Sequence, residues 1–423
     1  MIKFLARGLL RDHSRSLFPV LTIVAGTLLT VLMHSWMQGA FSSMVDVSAR
    51  FGTGHVKVMT RAYNEISDQM PNDLAILGLK DQLAALRAEY PDMIWAPRIQ
   101  FGGLLDVPDA YGETRTQGPV MAMGIDFGGS DSGAAILNMN DALVSGRLPQ
   151  EPDEILISEK LAKKLDVKPG QKVTLLGSTM GGSMSIYNFK IAGTICFGID
   201  MLDRRMIITD IRGAQNALDM YDGAGEILGF DRTMLFNEET TDKLKAEFNQ
   251  KYSSKDDEFS PQMISLRDQQ GMGQLLDMIK VAASIMVFIF VFVMSLVLWN
   301  AGLLGGLRRY GEIGLRLAIG EPKGSLYRSM IVESVLIGLA GSLIGTTIGL
   351  SFAYYLQEVG INISGMMQGS EVLFPDIVRG RITPATYLIG FVPGVFASML
   401  GTMFAGVGIY RRQTAQLFKE LEV

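Results

Sequence analysis

The sequence has few of the side chains on which most enzyme sites depend. Its 423 residues include one cysteine, Cys196, and three histidines, His13, His34 and His55, which lie far apart along the chain. One cysteine excludes an intramolecular disulfide, and scattered histidines lack the spacing of a metal site. The sequence has no G-x-x-x-x-G-K-[ST] phosphate loop, and the glycine-rich segment Gly177–Gly182 has no lysine to bind a phosphate. We therefore expect no catalytic residue, no metal and no cofactor in this chain.

Charge is missing from four long stretches. Hydrophobic residues make up 48% of the chain and charged residues only 19%, a balance typical of a protein that lies partly in lipid. The uncharged runs are Leu17–Trp36, Val281–Leu307, Ser334–Gln357 and Ile382–Tyr410. About 20 apolar residues cross the hydrocarbon core of a bilayer, and a buried helix of a soluble protein suits such runs poorly. The sequence therefore predicts four transmembrane helices, at residues 17–36, 279–307, 329–357 and 382–410.

Basic residues indicate how these helices are oriented. They are concentrated before the first helix, between the second and third, and after the fourth; the main ones are Lys3, Arg7, Arg11, Arg15, Arg308, Arg309, Arg316, Lys323, Arg328, Arg411, Arg412 and Lys419. Short basic segments stay in the cytoplasm. We therefore expect an amphipathic elbow helix at 1–16, a segment at 308–328 and a tail at 411–423 on the cytoplasmic side, with a short loop at 358–381 outside. The first run lacks a cleavage site and is expected to remain as an anchor.

The segment between the first two predicted spans, residues 37–278, has a different composition. Residues 37–279 carry 23 Lys and Arg against 34 Asp and Glu, a net charge of −11, whereas the rest carries 15 against 9, a net of +6, and together these give the −5 of the whole chain. Helical patterns and β-like runs such as "EILIS" and "RRMIITDI" alternate within this segment. The predicted fold is an α-helical membrane protein with four transmembrane helices and a large α+β extracytoplasmic domain between helices 1 and 2, with a β-rich insert at about 126–211.

The third predicted span has a strip of glycines and one acidic residue. Gly341, Gly345 and Gly349 recur at every fourth position, with Gly338 beside them, so a neighbouring helix can approach closely along this side. Glu333 stands at the start of the span. An ionisable residue in a membrane helix points to function, although this one is close enough to the interface for its carboxylate to reach water.

The segment "RRYGEIGLRLAIG", residues 308–320, connects the second and third spans. This motif, together with the order of one span, a large domain and three spans, resembles the MacB/LolC/LolE/FtsX superfamily of ABC-transporter permeases. The matching residues are Arg308, Arg309, Glu312, Ile313, Gly314, Ala318 and Gly320, and Glu333 matches an acidic residue at the start of the third span. The family's arginine commonly precedes the alanine directly, whereas here Arg316 lies one place earlier and Leu317 takes that position.

The resemblance implies a function and a set of partners. Residues 308–328 would be a coupling helix, including Arg316, that docks on a separate cytoplasmic ATPase present in two copies, which binds ATP and Mg²⁺. A second permease, identical or related, would complete the transporter in the bacterial inner membrane. ATP-driven closure would move a stalk at Gly271–Ile279 and reshape the periplasmic domain. The leading function is release of lipoproteins from the membrane to a periplasmic chaperone; the alternatives are MacB-like efflux of peptides or small molecules with an adaptor, and FtsX-like activation of a cell-wall hydrolase.

Overall fold

A computed structural model describes residues 13–109, 111–234, 236–269, 272–307, 310–363 and 377–411. The expected elbow helix at 1–16, most of the loop at 358–381 and the tail at 411–423 therefore lie largely outside the described residues. The chain divides into a helical unit, formed by residues up to Ser42, Met278–Ile361 and residues from Val378 onward, and an α/β unit, formed by Ser43–Asp277 and Asn362–Ile377.

The described chain contains both short and long helices. The α-helices are α1 (His13–Ser48), α2 (Arg61–Glu65), α3 (Leu79–Glu89), α4 (Gly133–Ile136), α5 (Met139–Ala142), α6 (Glu159–Leu165), α7 (Asp200–Asp203), α8 (Ile211–Leu218), α9 (Glu238–Tyr252), α10 (Met272–Leu307), α11 (Tyr310–Ala318), α12 (Lys323–Val359), α13 (Thr386–Ile389) and α14 (Ser398–Arg411). Two π-helical turns, Ala49–Thr53 and Val392–Ala397, follow α1 and α13, and two 3₁₀ turns lie at Ser67–Gln69 and Asn72–Leu74.

Four helical stretches of the described chain are long and apolar enough to cross a membrane: Leu17–Thr53, Met272–Leu304, Lys323–Val359 and Thr386–Val407. The first and third contain the predicted spans 17–36 and 329–357, and the second and fourth overlap the predicted spans 279–307 and 382–410. The first three extend beyond the uncharged runs, because a helix continues for as long as its backbone bonds are satisfied, whatever the polarity of its side chains. The last is interrupted at Gly390 and by the π-helical turn that contains Pro393, where proline cannot donate a backbone hydrogen bond.

The strands of the described chain are β1 (Val56–Thr60), β2 (Ile76–Leu77), β3 (Met93–Pro108), β4 (Thr114–Ile125), β5 (Leu143–Gly146), β6 (Glu154–Ser158), β7 (Lys172–Ser178), β8 (Met184–Ile195), β9 (Met206–Asp210), β10 (Gly223–Ala224), β11 (Glu226–Asp231), β12 (Pro261–Ser265), β13 (Ile361–Asn362) and β14 (Ile377–Val378).

One sheet organises the α/β unit. Its strand order is β12-β1-β11-β3-β4-β9-β6-β8-β5, and β7 pairs with both β3 and β8. The β4–β9 and β6–β8 pairs are parallel, and the other pairs along this order are antiparallel. The strands within the expected insert, residues 126–211, join the same sheet as β1, β3 and β4 instead of forming a second sheet.

Side chains from both ends of this sheet share one core. Val56 and Ile227 pack in the same cluster as Phe101, Ile155 and Phe189. Helix α6 begins at a side-chain cap, because Ser158 Oγ accepts a hydrogen bond from the Leu161 N–H. The continuous core makes β1, which directly follows the first long helix, part of the same rigid body as the distant β7–β8 hairpin.

Candidate functional site

The segment between the second and third long helices folds as a short amphipathic helix, α11, and a tight turn. Ile313 is almost fully buried against Leu326 and Met330 of α12, with Leu317 beside them. After Ala318 the chain reverses at Gly320, whose φ of +100° favours glycine. Helix α11 is therefore packed against the start of α12.

Arg316 lies in the last turn of α11, just before this reversal. Its guanidinium donates two hydrogen bonds to Glu321, from Nε at 2.8 Å and from an Nη at 3.0 Å, and Ser325 Oγ donates to the same carboxylate at 3.1 Å. A bidentate pair of this kind fixes orientation as well as charge. The shifted arginine thus closes the turn within the chain.

The outer side of the same segment is apolar. Leu315 is 54% exposed and Ile319 79% exposed, and Ala318 and Gly320 are also exposed, whereas Gly314 is buried. Arg308 and Arg309 lie outside the described residues, and Glu312 is described only by its backbone within α11. The structure thus brings Ile313 and Gly314 to the inner side of the segment and Ala318 and Gly320 to its surface.

The glycine strip of α12 faces two other long helices. Gly341 lies against Ile23 of α1, where an added Cβ would be 2.7 Å from Ile23 Cγ2, and Gly349 lies against Val31. Gly345 contacts Thr27, and Gly338 approaches the backbone of Gly394 in the interrupted last span. The four glycines therefore lie where three backbones come close, as small residues do in membrane helix packing. Glu333 is half-buried on the same helix.

The second long helix, α10, contacts the rest of the helical unit over only part of its length. Its contacts involve Met294 and Leu298 against Gly26, Trp299 against Phe404, and Gly302 against Ser398. In its most apolar window 6% of the residues are buried, against 33%, 33% and 44% in the other three candidate spans. Most of this helix is therefore uncovered within the single chain.

A buried charge cluster lies where α1 passes into the sheet. The Glu226 carboxylate on β11 lies 3.0 Å from Lys57 Nζ on β1 and 2.6 Å from an Arg98 Nη on β3, and all three side chains are nearly inaccessible. Burial alone favours the neutral acid, but Arg98 and Lys57 hold the pKa of Glu226 below its ordinary value. Arg98 also donates to the carbonyl oxygens of Phe51, at 2.9 Å, and Gly52, both in the π-helical turn that follows α1.

His55 lies one residue beyond this turn. Its Nδ1 accepts a hydrogen bond from the Asp231 N–H at 3.0 Å, so the neutral ring carries its proton on Nε2. Burial lowers the pKa of His55 to about 4, with Asp231 opposing that shift and Arg50 adding to it. This histidine is therefore a neutral structural group at ordinary pH.

The start of α10 is also tied to the α/β unit by charge. Arg267, between β12 and α10, pairs with Glu238 at the start of α9 at 2.6 Å and with Asp277 on α10 at 2.5 Å. All three side chains are partly exposed, so these pairs contribute little stability. They link the segment between β12 and α10 to the start of α9 and to the first turns of α10.

The glycine-rich segment Gly177–Gly182 lies at the short, closed tip of the β7–β8 hairpin. The Thr179 N–H donates to the Ser183 carbonyl at 2.8 Å, and the Met180 N–H donates to the Leu218 carbonyl at the end of α8 at 2.7 Å. A cavity of about 580 Å³ lies beside this tip and is lined also by Met70 and Asn72. The tip is therefore held against the domain.

Two family models match this chain. The model of the MacB-like periplasmic core domain matches residues 16–249, more than half of the chain, and the model of the FtsX-like permease C-terminal region matches residues 284–414. The chain belongs to the MacB, FtsX and LolC superfamily of permeases. Members of this family are ABC-type permeases with a separate ATPase. Membership implies a dimeric permease that crosses the membrane several times and carries a periplasmic domain.

A search of solved structures gives a similar protein. The periplasmic region of MacB from Actinobacillus actinomycetemcomitans is 14% identical, with a TM-score of 0.34, over 53% of this chain and 94% of that one. No curated protein matches the sequence.

The charged residues of the domain that the sequence analysis missed are Lys57, Arg98, Glu226 and Arg267. The first two had a signal: each is a lone cation in an otherwise apolar β-like run, "VKVMT" and "WAPRIQF". A buried cation requires a partner. The identity of that partner depends on strand pairing, which the sequence alone did not reveal.

Proposed function

We propose that this chain is the membrane subunit of an inner-membrane ABC transporter of the mechanotransmission type. Both termini and residues 308–328 lie in the cytoplasm, and the α/β unit lies in the periplasm. The distribution of basic residues supports this orientation. Single cysteines at the exposed positions Ser178 and Gly324, in a Cys196→Ala background, test it: an impermeant thiol reagent added outside should label the first and not the second.

The observation that carries this proposal is the outer side of α11 and its turn. Leu315 and Ile319 are exposed on a segment that already buries Ile313 inward. Exposed apolar side chains on a basic cytoplasmic segment favour a protein partner over water. We assign that surface to the ATPase subunit, which supplies the ATP and Mg²⁺ site.

The variant Ile319→Glu tests this docking surface. It should abolish ATPase binding and transport while the chain stays in the membrane, because the charge would be buried at the contact. Arg328→Ser is the control, since it removes an exposed basic residue of the same segment without touching the apolar surface. Wild-type ATPase binding by Ile319→Glu refutes the assignment, and equal loss in both variants points to topology instead.

The uncovered helix α10 supports a second permease as the partner in the membrane. Phe288 and Phe292 are stacked on each other and exposed, as is Ile285. We propose that this side of α10 packs against the corresponding helix of another permease chain. Cysteine at Ile285 should form a crosslink between permeases in native membranes, whereas cysteine at the exposed Leu343 of α12 should not. Crosslinks at neither position would leave α10 facing lipid.

For the cargo we propose a lipoprotein released from the outer leaflet. The resemblance to the LolC and LolE branch supports it, and the short hairpin tip, tied to Leu218, fits a subunit that lacks the long chaperone-binding loop of the LolC branch. Depletion of this chain should leave outer-membrane lipoproteins in the inner membrane, measured by membrane fractionation. Normal sorting with new sensitivity to peptides or antibiotics would support MacB-like efflux, and a defect confined to cell-wall cleavage would support FtsX-like activation.

A further inference from the structure

The side chain of Arg98 on β3 binds the end of the first long helix. Helix α1 runs to Ser48 and is followed directly by the π-helical turn Ala49–Thr53. The last carbonyls of a helix have no partner within it and carry partial negative charge. Here the Phe51 and Gly52 carbonyls accept hydrogen bonds from the Arg98 guanidinium.

The same guanidinium belongs to the buried charge cluster. Arg98 Nε donates to Glu226 Oε1 at 2.7 Å, and Glu226 also pairs with Lys57. Two cations and one carboxylate leave one net positive charge in a buried place, which is unfavourable in a low dielectric. The Phe51 and Gly52 carbonyl oxygens place partial negative charge beside this excess positive charge. The helix end therefore takes part in the electrostatics of the cluster, and moving it away would remove the Phe51 acceptor from the buried Arg98 Nη1.

The cluster also joins three neighbouring strands. Lys57, Glu226 and Arg98 lie on β1, β11 and β3, which are adjacent in the sheet, and Glu226 is directly opposite Arg98 in the β11–β3 register. A displacement of the helix end would therefore pass to β3 and β11 through hydrogen bonds that hold a fixed geometry, and not only through the peptide chain into β1.

We propose that Arg98 is a positioning residue that couples movement of the first long helix to the α/β unit. This inference rests on the proposed function, since it supplies the route by which an ATP-driven movement in the membrane reaches the domain. The alternative is that the cluster only stabilises the fold. Arg147 provides the comparison, because it makes a bidentate pair with Glu154 in the same unit and its hydrogen bonds do not involve the turn at 49–53.

The test compares Arg98→Lys with Arg147→Lys in the full-length chain assembled with its ATPase. Lysine keeps the ion pair but has no planar fork to bind Glu226 and two carbonyls at once. Hydrogen exchange of residues 49–54 should accelerate at least tenfold in Arg98→Lys and stay unchanged in Arg147→Lys. Spin labels at the exposed Ser178 and Thr347, in a Cys196→Ala background, should show an ATP-driven distance change in the wild type that falls by more than half only in Arg98→Lys.

Trp95 fluorescence verifies folding of each variant. If Arg98→Lys fails to fold, the triple variant Lys57→Met, Arg98→Met, Glu226→Leu replaces the cluster by apolar side chains of similar size, which buried ion clusters often tolerate, and it should show the same loss of movement. An ATP-driven change that survives in the folded variant overturns the inference and leaves the proposed function standing. No ATP-driven change in the wild type removes the proposed function and this inference together.

Discussion

The pH dependence of the α/β unit should be set in part by His55. The ring is buried, its Nδ1 is occupied by the Asp231 N–H, and burial holds its pKa at about 4 against an ordinary value of 6.5. A proton on Nδ1 would remove that acceptor and place a cation in a site already near Arg50. The folded state therefore resists protonation, whereas the unfolded chain accepts a proton at its ordinary pKa.

The sign and size of the change in unfolding free energy with pH follow from proton linkage. Between pH 6.5 and 4 the unfolded state binds the proton and the folded state does not, so acidification destabilises the fold by about 1.4 kcal/mol per pH unit. From pH 7.5 to 5 the His55 contribution amounts to about 2 kcal/mol. The interval from pH 7.5 to 6.5 adds little, because there the histidine of the unfolded chain is still mostly unprotonated. Below pH 4 both states are protonated and the loss levels off.

The measurement is urea unfolding of the full-length chain in detergent, followed by Trp95, with Trp36 and Trp299 replaced by Phe. Trp95 is nearly inaccessible in the core of the α/β unit and reports its unfolding. The variant His55→Gln keeps an acceptor for the Asp231 N–H but does not titrate. The wild type should lose about 2 kcal/mol more than His55→Gln between pH 7.5 and 5. Equal losses in the two proteins refute the reasoning, since they would place the folded pKa of His55 near 6.5.

Three further predictions concern the helical unit. Gly345→Ala should lower unfolding stability by about 1–3 kcal/mol, because the new Cβ would lie 2.6 Å from the Val24 carbonyl oxygen, whereas Thr347→Ala on the exposed side of α12 should cost less than about 0.5 kcal/mol in the same detergent titration. Glu321→Ala should change stability by less than about 1 kcal/mol, since its pair with Arg316 is partly exposed, but it should weaken ATPase binding in pull-down experiments by releasing the turn; unchanged binding would separate the turn from docking. Glu312→Lys should abolish substrate-stimulated ATP hydrolysis without loss of the chain from the membrane. Normal stimulation would mean that the motif at residues 308–320 only sets the orientation of the helices in the membrane.

The sequence predicted the long helices and some of the strands, but not the long strands β3 and β4. Long uncharged runs leave few alternatives to helices that satisfy their own backbone bonds in lipid. The "EILIS" and "RRMIITDI" runs are strands because consecutive apolar β-branched residues suit a buried sheet. The cap at Ser158 followed from local hydrogen-bonding chemistry alone.

The pairing of strands that are distant along the chain could not be predicted from the sequence. Neither the joining of the expected insert to one sheet nor the meeting of Lys57, Glu226 and Arg98 could be predicted, because strand order depends on contacts between distant residues. The role of Arg316 was also unforeseen. Nothing in the sequence indicated that its guanidinium pairs with Glu321, five positions along the same chain.

The two ends of the α/β unit leave it side by side. Strand β1 follows α1 and strand β12 precedes α10, and the two pair antiparallel with Val56 opposite Ser265. Paired residues of adjacent strands are only about 5 Å apart, a gap that a turn of a few residues would close. The domain therefore has the geometry of a cassette. A domain exchanged for it at these two strands would need its own ends to lie equally close together.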